Sequence, residues 1–129
     1  MQPLRHFLLA VQFFSRIPIT GRVAAWVGWS PALQRASAAH LPGVGWLVGS
    51  AAALTILLAN YALATHPLLP WVAALLSTVV TLCMTGGFHE DGMADVADGL
   101  GGHLPAERAL EVMKDSRLGA YGVMALCMG

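Results

Sequence analysis

No Asp, Glu, Lys or Arg stands between residues 36 and 89. Within that stretch, Gly43 to Thr65 reads GVGWLVGSAAALTILLANYALAT, 23 residues without a charge. A helix rising about 1.5 Å per residue crosses a hydrocarbon layer of about 30 Å with a segment of this length. His66-Pro67-Leu68-Leu69-Pro70 interrupts the run with turn residues, and a second apolar run from Trp71 to about Phe88 closes at Gly86-Gly87. The pattern predicts a helical hairpin with two transmembrane helices. The apolar stretch Phe7 to Phe14 is too short to span and lies between Arg5 and Arg16, which predicts an interfacial or re-entrant helix ended by Pro18. Leu118 to Gly129 opens a further apolar run, the expected start of a third span in a chain expected to continue.

Composition strengthens this reading. Hydrophobic residues make up 57% of the chain and charged residues only 11%, with mean hydropathy +0.65. Soluble domains carry about 25% charged residues, and a chain this short cannot bury such an excess in a core of its own. The expected class is therefore an all-α, polytopic membrane protein. Four arginines, Arg5, Arg16, Arg22 and Arg35, precede the first span and by the positive-inside rule hold the N-terminal region in the cytoplasm. Two crossings then return the following segment to the cytoplasmic side. Trp46 and Trp71 fall near the span ends, where interfacial aromatics gather, and Gly45, Gly49 and Ala53 form a small-residue ridge suited to close helix approach. Cys83 and Cys127 sit in apolar runs without a C-x-x-C partner and are expected to be packing residues. Ser15-Arg16-Ile17-Pro18 stands where a signal peptide would need a small-residue cleavage site, so the N-terminal segment is expected to be retained.

The acidic residues are confined to one stretch, Glu90 to Asp115. In His89-Glu90-Asp91-Gly92-Met93-Ala94-Asp95-Val96-Ala97-Asp98-Gly99, a helix would place Asp91, Asp95 and Asp98 at i, i+4 and i+7 on one face. Three like charges so close repel one another, and a divalent cation offsets them; hard oxygen ligands select Mg²⁺, Mn²⁺ or Ca²⁺. Glu90 lies off that face and joins the ligands only if the helix starts after it. The plain alternative is an acidic loop that does no more than meet water. An unpaired acidic stripe beside a membrane is costly, however, and Met93, Ala94 and Ala97 on the other side are small or apolar. His89 is a candidate for proton transfer, but the second histidine of an H-E-x-x-H zinc site is absent. Gly99, Gly101 and Gly102 read as a flexible turn without a nucleotide-binding P-loop.

Pro105 is expected to open a short helix, PAERALEVMKDSR, that ends with Lys114-Asp115-Ser116-Arg117. By themselves these are ordinary charges at a helix end, where cations offset the macrodipole. Following a metal-binding acid face, Lys114 and Arg117 also supply what a diphosphate in transfer needs: a point charge and a bidentate fork on its oxygens.

At these residues the chain resembles the cobalamin synthase family, integral membrane enzymes of vitamin B12 assembly with adenosylcobinamide-GDP ribazoletransferase activity. The matching strings are Phe14-Ser15-Arg16-Ile17-Pro18, then Gly86-Gly87-Phe88-His89-Glu90-Asp91-Gly92-Met93-Ala94-Asp95-Val96-Ala97-Asp98-Gly99, and Met113-Lys114-Asp115-Ser116-Arg117-Leu118-Gly119-Ala120-Tyr121-Gly122, in order and spacing. The resemblance implies that residues 1–129 are the N-terminal part of a single membrane-embedded catalytic domain, whose remaining helices follow. It implies a Mg²⁺-dependent reaction in which α-ribazole, or its 5′-phosphate, attacks the cobinamide-linked phosphorus of adenosylcobinamide-GDP and expels GMP. Asp91, Asp95 and Asp98, with Glu90, would hold the Mg²⁺. Lys114 and Arg117 would stabilise the departing GMP, and Asp115 and Arg16 complete the expected substrate contacts. Proton acceptance falls to a carboxylate of the cluster not committed to the metal, such as Asp91 or Asp95, or to His89, with Asp115 a secondary candidate as metal ligand or base; the sequence does not choose between them.

The expected setting is the bacterial cytoplasmic membrane, with the acidic site on the cytoplasmic side. Expected partners are those two substrates and the lipid bilayer, open to a homo-oligomer or to other membrane enzymes of the pathway, and not nucleic acid. Two rival readings remain. A CDP-alcohol phosphotransferase of lipid synthesis shares the start of the pattern, Asp91-Gly92-Met93-Ala94-Asp95, but has an arginine where Asp95 stands. A transporter component would place acids near mid-membrane, whereas these follow the second span.

Overall fold

The computed structural model describes residues 2–128, and among them the chain is all-helical. The elements are α1 (Gln2–Phe14), α2 (Gly21–Val27), α3 (Pro31–Ser37), a 3₁₀ turn (Ala38–His40), α4 (Leu41–Leu63), α5 (Leu69–Thr85), α6 (Phe88–Gly101), α7 (Ala106–Val112) and α8 (Ala120–Met128). Gly129, the last residue of the apolar run expected to open a third span, and Met1 lie outside the described residues. One compact unit reaches to Gly86 and a second begins at Gly87.

In the first unit, local chemistry sets the helix boundaries. Ser30 caps α3 by accepting the Leu33 N–H at 3.1 Å, with Pro31 as its first residue. Helix α3, the 3₁₀ turn and α4 run on as one 33-residue helix, Pro31–Leu63, the described helix long and apolar enough to cross a membrane. Helix α5 begins with a proline in its first turn and stops at Thr85, three residues short of the expected end. The reason is local: Gly86 and Gly87 adopt left-handed φ values of 71° and 75°, and the Gly86 N–H closes the helix on the Leu82 carbonyl at 2.7 Å. With 17 residues, α5 is about 25 Å long, so the predicted pair is one clear apolar span and a shorter second helix. The two helices pack on each other and bury Ala59 and Ala73, while Trp46, Leu57, Tyr61, Trp71 and Leu75 remain exposed. So large an apolar surface is foreign to water. The predicted ridge is present as an open face, with nothing near Gly45 or Gly49.

Helix α1 packs against the start of α4. Its residues Ala10 and Val11 form a small core with Val44 of α4, against which Phe7, Phe14, Ile17 and Ile19 pack. It ends at Phe14, ahead of Pro18, because the buried Ser15 hydroxyl donates to the Val11 carbonyl at 2.6 Å and accepts the Ile17 N–H. Arg5 donates twice to the Val27 carbonyl, at 2.8 and 3.2 Å, and so holds the end of α2. Cys83 and Cys127 are exposed free thiols rather than packing residues.

The second unit consists of α6, α7 and α8, interlocked through small residues. Gly99 and Gly101 do not form the expected turn but belong to α6. A Cβ on Gly99 would come within 2.6 Å of Met113 Cε and 3.1 Å of the Ala109 carbonyl oxygen, and one on Gly101 would meet the Tyr121 ring. These glycines serve close approach. Helix α7 is also shorter than expected and ends at Val112. The Lys114 and Asp115 N–H groups bond back only three residues, to Glu111 and Val112, a tightening that ends the α-helix. Lys114-Asp115-Ser116-Arg117 is therefore loop, not a helix end.

Candidate functional site

Helix α6 forms as the acidic pattern requires, with Gly87 as its left-handed N-cap and Glu90 and Asp91 in its first turn, where negative charge suits the helix dipole. One helical turn apart, Asp91 and Asp95 open onto a cleft of about 300 Å³ whose other walls are Met113, Lys114, Asp115, Ser116, Arg117 and Leu118. Five of the residues expected from the sequence, Asp91, Asp95, Lys114, Asp115 and Arg117, thus share one cavity. Loop geometry, not helix periodicity, brings the cations to the acids. Ser116, Met113 and Leu118 also line the cleft, and only Ser116 carries a polar group that the sequence had set beside them.

Within the cleft Asp115 and Arg117 bind each other. The guanidinium donates from Nε to both carboxylate oxygens, at 3.1 and 3.0 Å, and from Nη2 to Oδ2 at 2.6 Å, while the Arg117 N–H donates to Oδ1 at 3.1 Å. These hydrogen bonds hold the Asp115 carboxyl below the usual carboxylate range and raise Arg117. A carboxylate so held is a poor proton acceptor. Lys114 has no ion pair among the described residues, so its charge is open to a ligand.

The remaining expected residues lie elsewhere. Asp98 does not join Asp91 and Asp95. Its Oδ2 accepts the Gly119 N–H at 2.7 Å and its Oδ1 the Gly122 N–H at 2.8 Å, at the start of α8. Among the described residues no three His, Cys, Asp or Glu side chains gather as a metal site, so the expected convergence of three aspartates is replaced by the pair Asp91 and Asp95. Glu90 is half-buried with Oε2 shielded from solvent, and His89 is exposed with its ring edge-on to Phe88 at 5.8 Å; neither lines the cleft. Arg16 belongs to the first unit. Its N–H donates to the Met84 carbonyl at 2.6 Å and its side chain crosses Gly86, so the Phe14-Ser15-Arg16 motif secures the end of α5.

Two carboxylates one turn apart are a donor set that suits Mg²⁺, which takes about one or two carboxylates and leaves its other positions to water and phosphate.

Fold and cleft together define a class: an all-helical protein with a long apolar helix and a cleft in which paired carboxylates face cations, chemistry suited to a phosphorylated ligand. Within that class the sequence matches the Cobalamin-5-phosphate synthase family over residues 6–129, and the chain belongs to that family. It is similar to the adenosylcobinamide-GDP ribazoletransferase of Polaromonas naphthalenivorans (strain CJ2), 61% identical over 128 residues, covering 99% of this chain and 46% of the relative. The enzyme of the same name from Polaromonas sp. (strain JS666 / ATCC BAA-500) is 63% identical over 98% of this chain and 45% of its own length. That of Vibrio cholerae (strain O395) is 46% identical over 97% and 44%. The chain thus spans about half the length of the curated relatives it matches. No solved structure matches it.

Proposed function

We propose that this chain carries the phosphate-binding part of a membrane-bound adenosylcobinamide-GDP ribazoletransferase. In this reaction a hydroxyl of α-ribazole, or of its 5′-phosphate, forms a bond to the cobinamide-linked phosphorus of adenosylcobinamide-GDP. The bond from that phosphorus to the GMP oxygen breaks, GMP leaves, and the hydroxyl proton passes to a base. The observation that carries the reading is the shared cleft of Asp91, Asp95, Lys114 and Arg117, in a chain of this family.

Asp91 and Asp95 would hold Mg²⁺, which when bound draws charge from the diphosphate. Lys114 offers a point charge to the departing phosphate, and Arg117 a planar fork once it leaves Asp115. Phosphoryl transfer gains mainly from such positioning and charge stabilisation. Of the proton acceptors open at the sequence level, a carboxylate oxygen of Asp91 or Asp95 that the metal does not engage is favoured, since both residues line the cleft and His89 does not. The same reading has α4 and α5 cross the cytoplasmic membrane and leaves α6 and its cleft on the cytoplasmic side, where the nucleotide substrate is found.

Incubation of the full-length protein, in membranes, with adenosylcobinamide-GDP and α-ribazole tests the assignment. GMP should appear only when both substrates and Mg²⁺ are present. Absence of GMP, with release of CMP from a CDP-alcohol, would replace it with the lipid phosphotransferase.

A further inference from the structure

We propose that Asp98 is the positioning residue of the cleft: it fixes the loop carrying Lys114 and Arg117 opposite Asp91 and Asp95, and it does not ligate metal. Helix α8 begins without a capping side chain of its own, since the residue that accepts its first helical bond, from the Val123 N–H at 3.1 Å, is Gly119. In a capping box two side chains satisfy the N-cap and third-position N–H groups reciprocally. Here one carboxylate from α6 does both, taking Gly119 on Oδ2 and Gly122 on Oδ1. The cradle is shaped for it. A Cβ at Gly119 or Gly122 would occupy the carboxylate's place, and at Gly122 it would also stand 3.1 Å from the Ala94 carbonyl oxygen.

The consequence for the site follows from where the loop is tied. At one end Met113 packs on Gly99, and at the other Gly119 is bound to Asp98, so both ends of the 114–118 segment are fastened to α6. Asp91 and Asp95 stand on that same helix. Cations and acids are thereby referred to one rigid element, which sets their spacing across the cleft. The identity of the phosphate bound there rests on the proposed function; the fastening does not.

Hydrogen exchange over residues 114–123 and Mn²⁺ binding, both on the full-length protein in detergent, separate the two roles of Asp98. In Asp98→Asn an amide with a single acceptor oxygen replaces the carboxylate, and exchange at residues 119–122 should speed up about tenfold or more, the scale of a lost charge-assisted hydrogen bond. Mn²⁺ affinity should stay at the wild-type value, whereas Asp91→Asn should lower it. Gly119→Ala keeps the Asp98 side chain but puts a Cβ where its carboxylate sits, displacing it from the N–H groups, and it should reproduce the faster exchange with Mn²⁺ binding spared. Unchanged exchange in Asp98→Asn and Gly119→Ala, or loss of Mn²⁺ binding in Asp98→Asn equal to that of Asp91→Asn, would overturn the assignment. A wild-type protein that released no GMP would remove the proposed reaction and leave these two readouts to judge Asp98.

Discussion

Replacing Gly86 by alanine should destabilise the first unit by about 2–3 kcal/mol, and the size of the effect can be built from two terms. The first is backbone strain: Gly86 has φ 71° and ψ 22°, a left-handed conformation that costs an L-residue about 1–2 kcal/mol. The second is steric: the new Cβ would strike Arg16 Nε and lie 3.0 and 3.1 Å from Arg16 Cδ and Cγ. The exposed guanidinium can swing away, but the stem must follow, at about 0.8 kcal/mol for each methylene that loses its cover. Gly87→Ala is the internal control. Gly87 has φ 75°, yet nothing lies within 4 Å of its Cβ position, so only the strain term applies. Unfolding of the full-length protein in mixed detergent micelles, followed by tryptophan fluorescence, gives the comparison. Gly86→Ala should cost more than Gly87→Ala, and Arg16→Ala should bring the two to the same cost, as a double-mutant cycle requires of neighbours in contact. Equal costs from the start, with no coupling to Arg16, would refute the contact.

Lys114→Ala should raise KM for the nucleotide-linked substrate about 10- to 100-fold, the range of one lost charge-assisted hydrogen bond, in a steady-state GMP-release assay. Arg117→Lys keeps the charge but loses the fork on Asp115, and a crystal or exchange measurement should find the 114–118 loop less ordered. Because Arg117 lowers the Asp115 pKa, their pairing contributes stability fully present above the ordinary carboxylate value of about 3.9 and lost as pH falls through the depressed one. A pH–rate profile from about 5.5 to 8 should therefore have the same shape in Asp115→Asn as in the unaltered protein; a step lost in the variant would contradict the pairing.

Much of the site was legible because its signals are local. The uncharged run gave α4 to within two residues at each end, and the i, i+4 spacing of Asp91 and Asp95 does put both on one cleft. Asp98 occupies the face that periodicity assigns it, but a helical wheel carries no information about another helix's bare N-terminus. The clue lay 21 residues on, in Gly119 and Gly122, two positions without side chains at the head of an apolar run. The end of α7 was hidden for a similar reason. Helix propensity favours continuing through Lys114, whereas the Asp115 carboxylate captures the Arg117 N–H and offers the backbone an alternative turn. Gly99 and Gly101 look the same in sequence whether they bend a chain or admit a neighbour, and only the packing of Met113 and Tyr121 distinguishes the two.

Mg²⁺ titration of GMP release by Asp91→Asn and Asp95→Asn, alongside the unaltered protein and in equal amounts of membrane, bears most directly on the cleft as a phosphate-transfer site. Both variants should reach the membrane normally and lose Mg²⁺-dependent release at every metal concentration. Turnover retained in both, with an unshifted Mg²⁺ requirement, would mean that these carboxylates do not carry the chemistry.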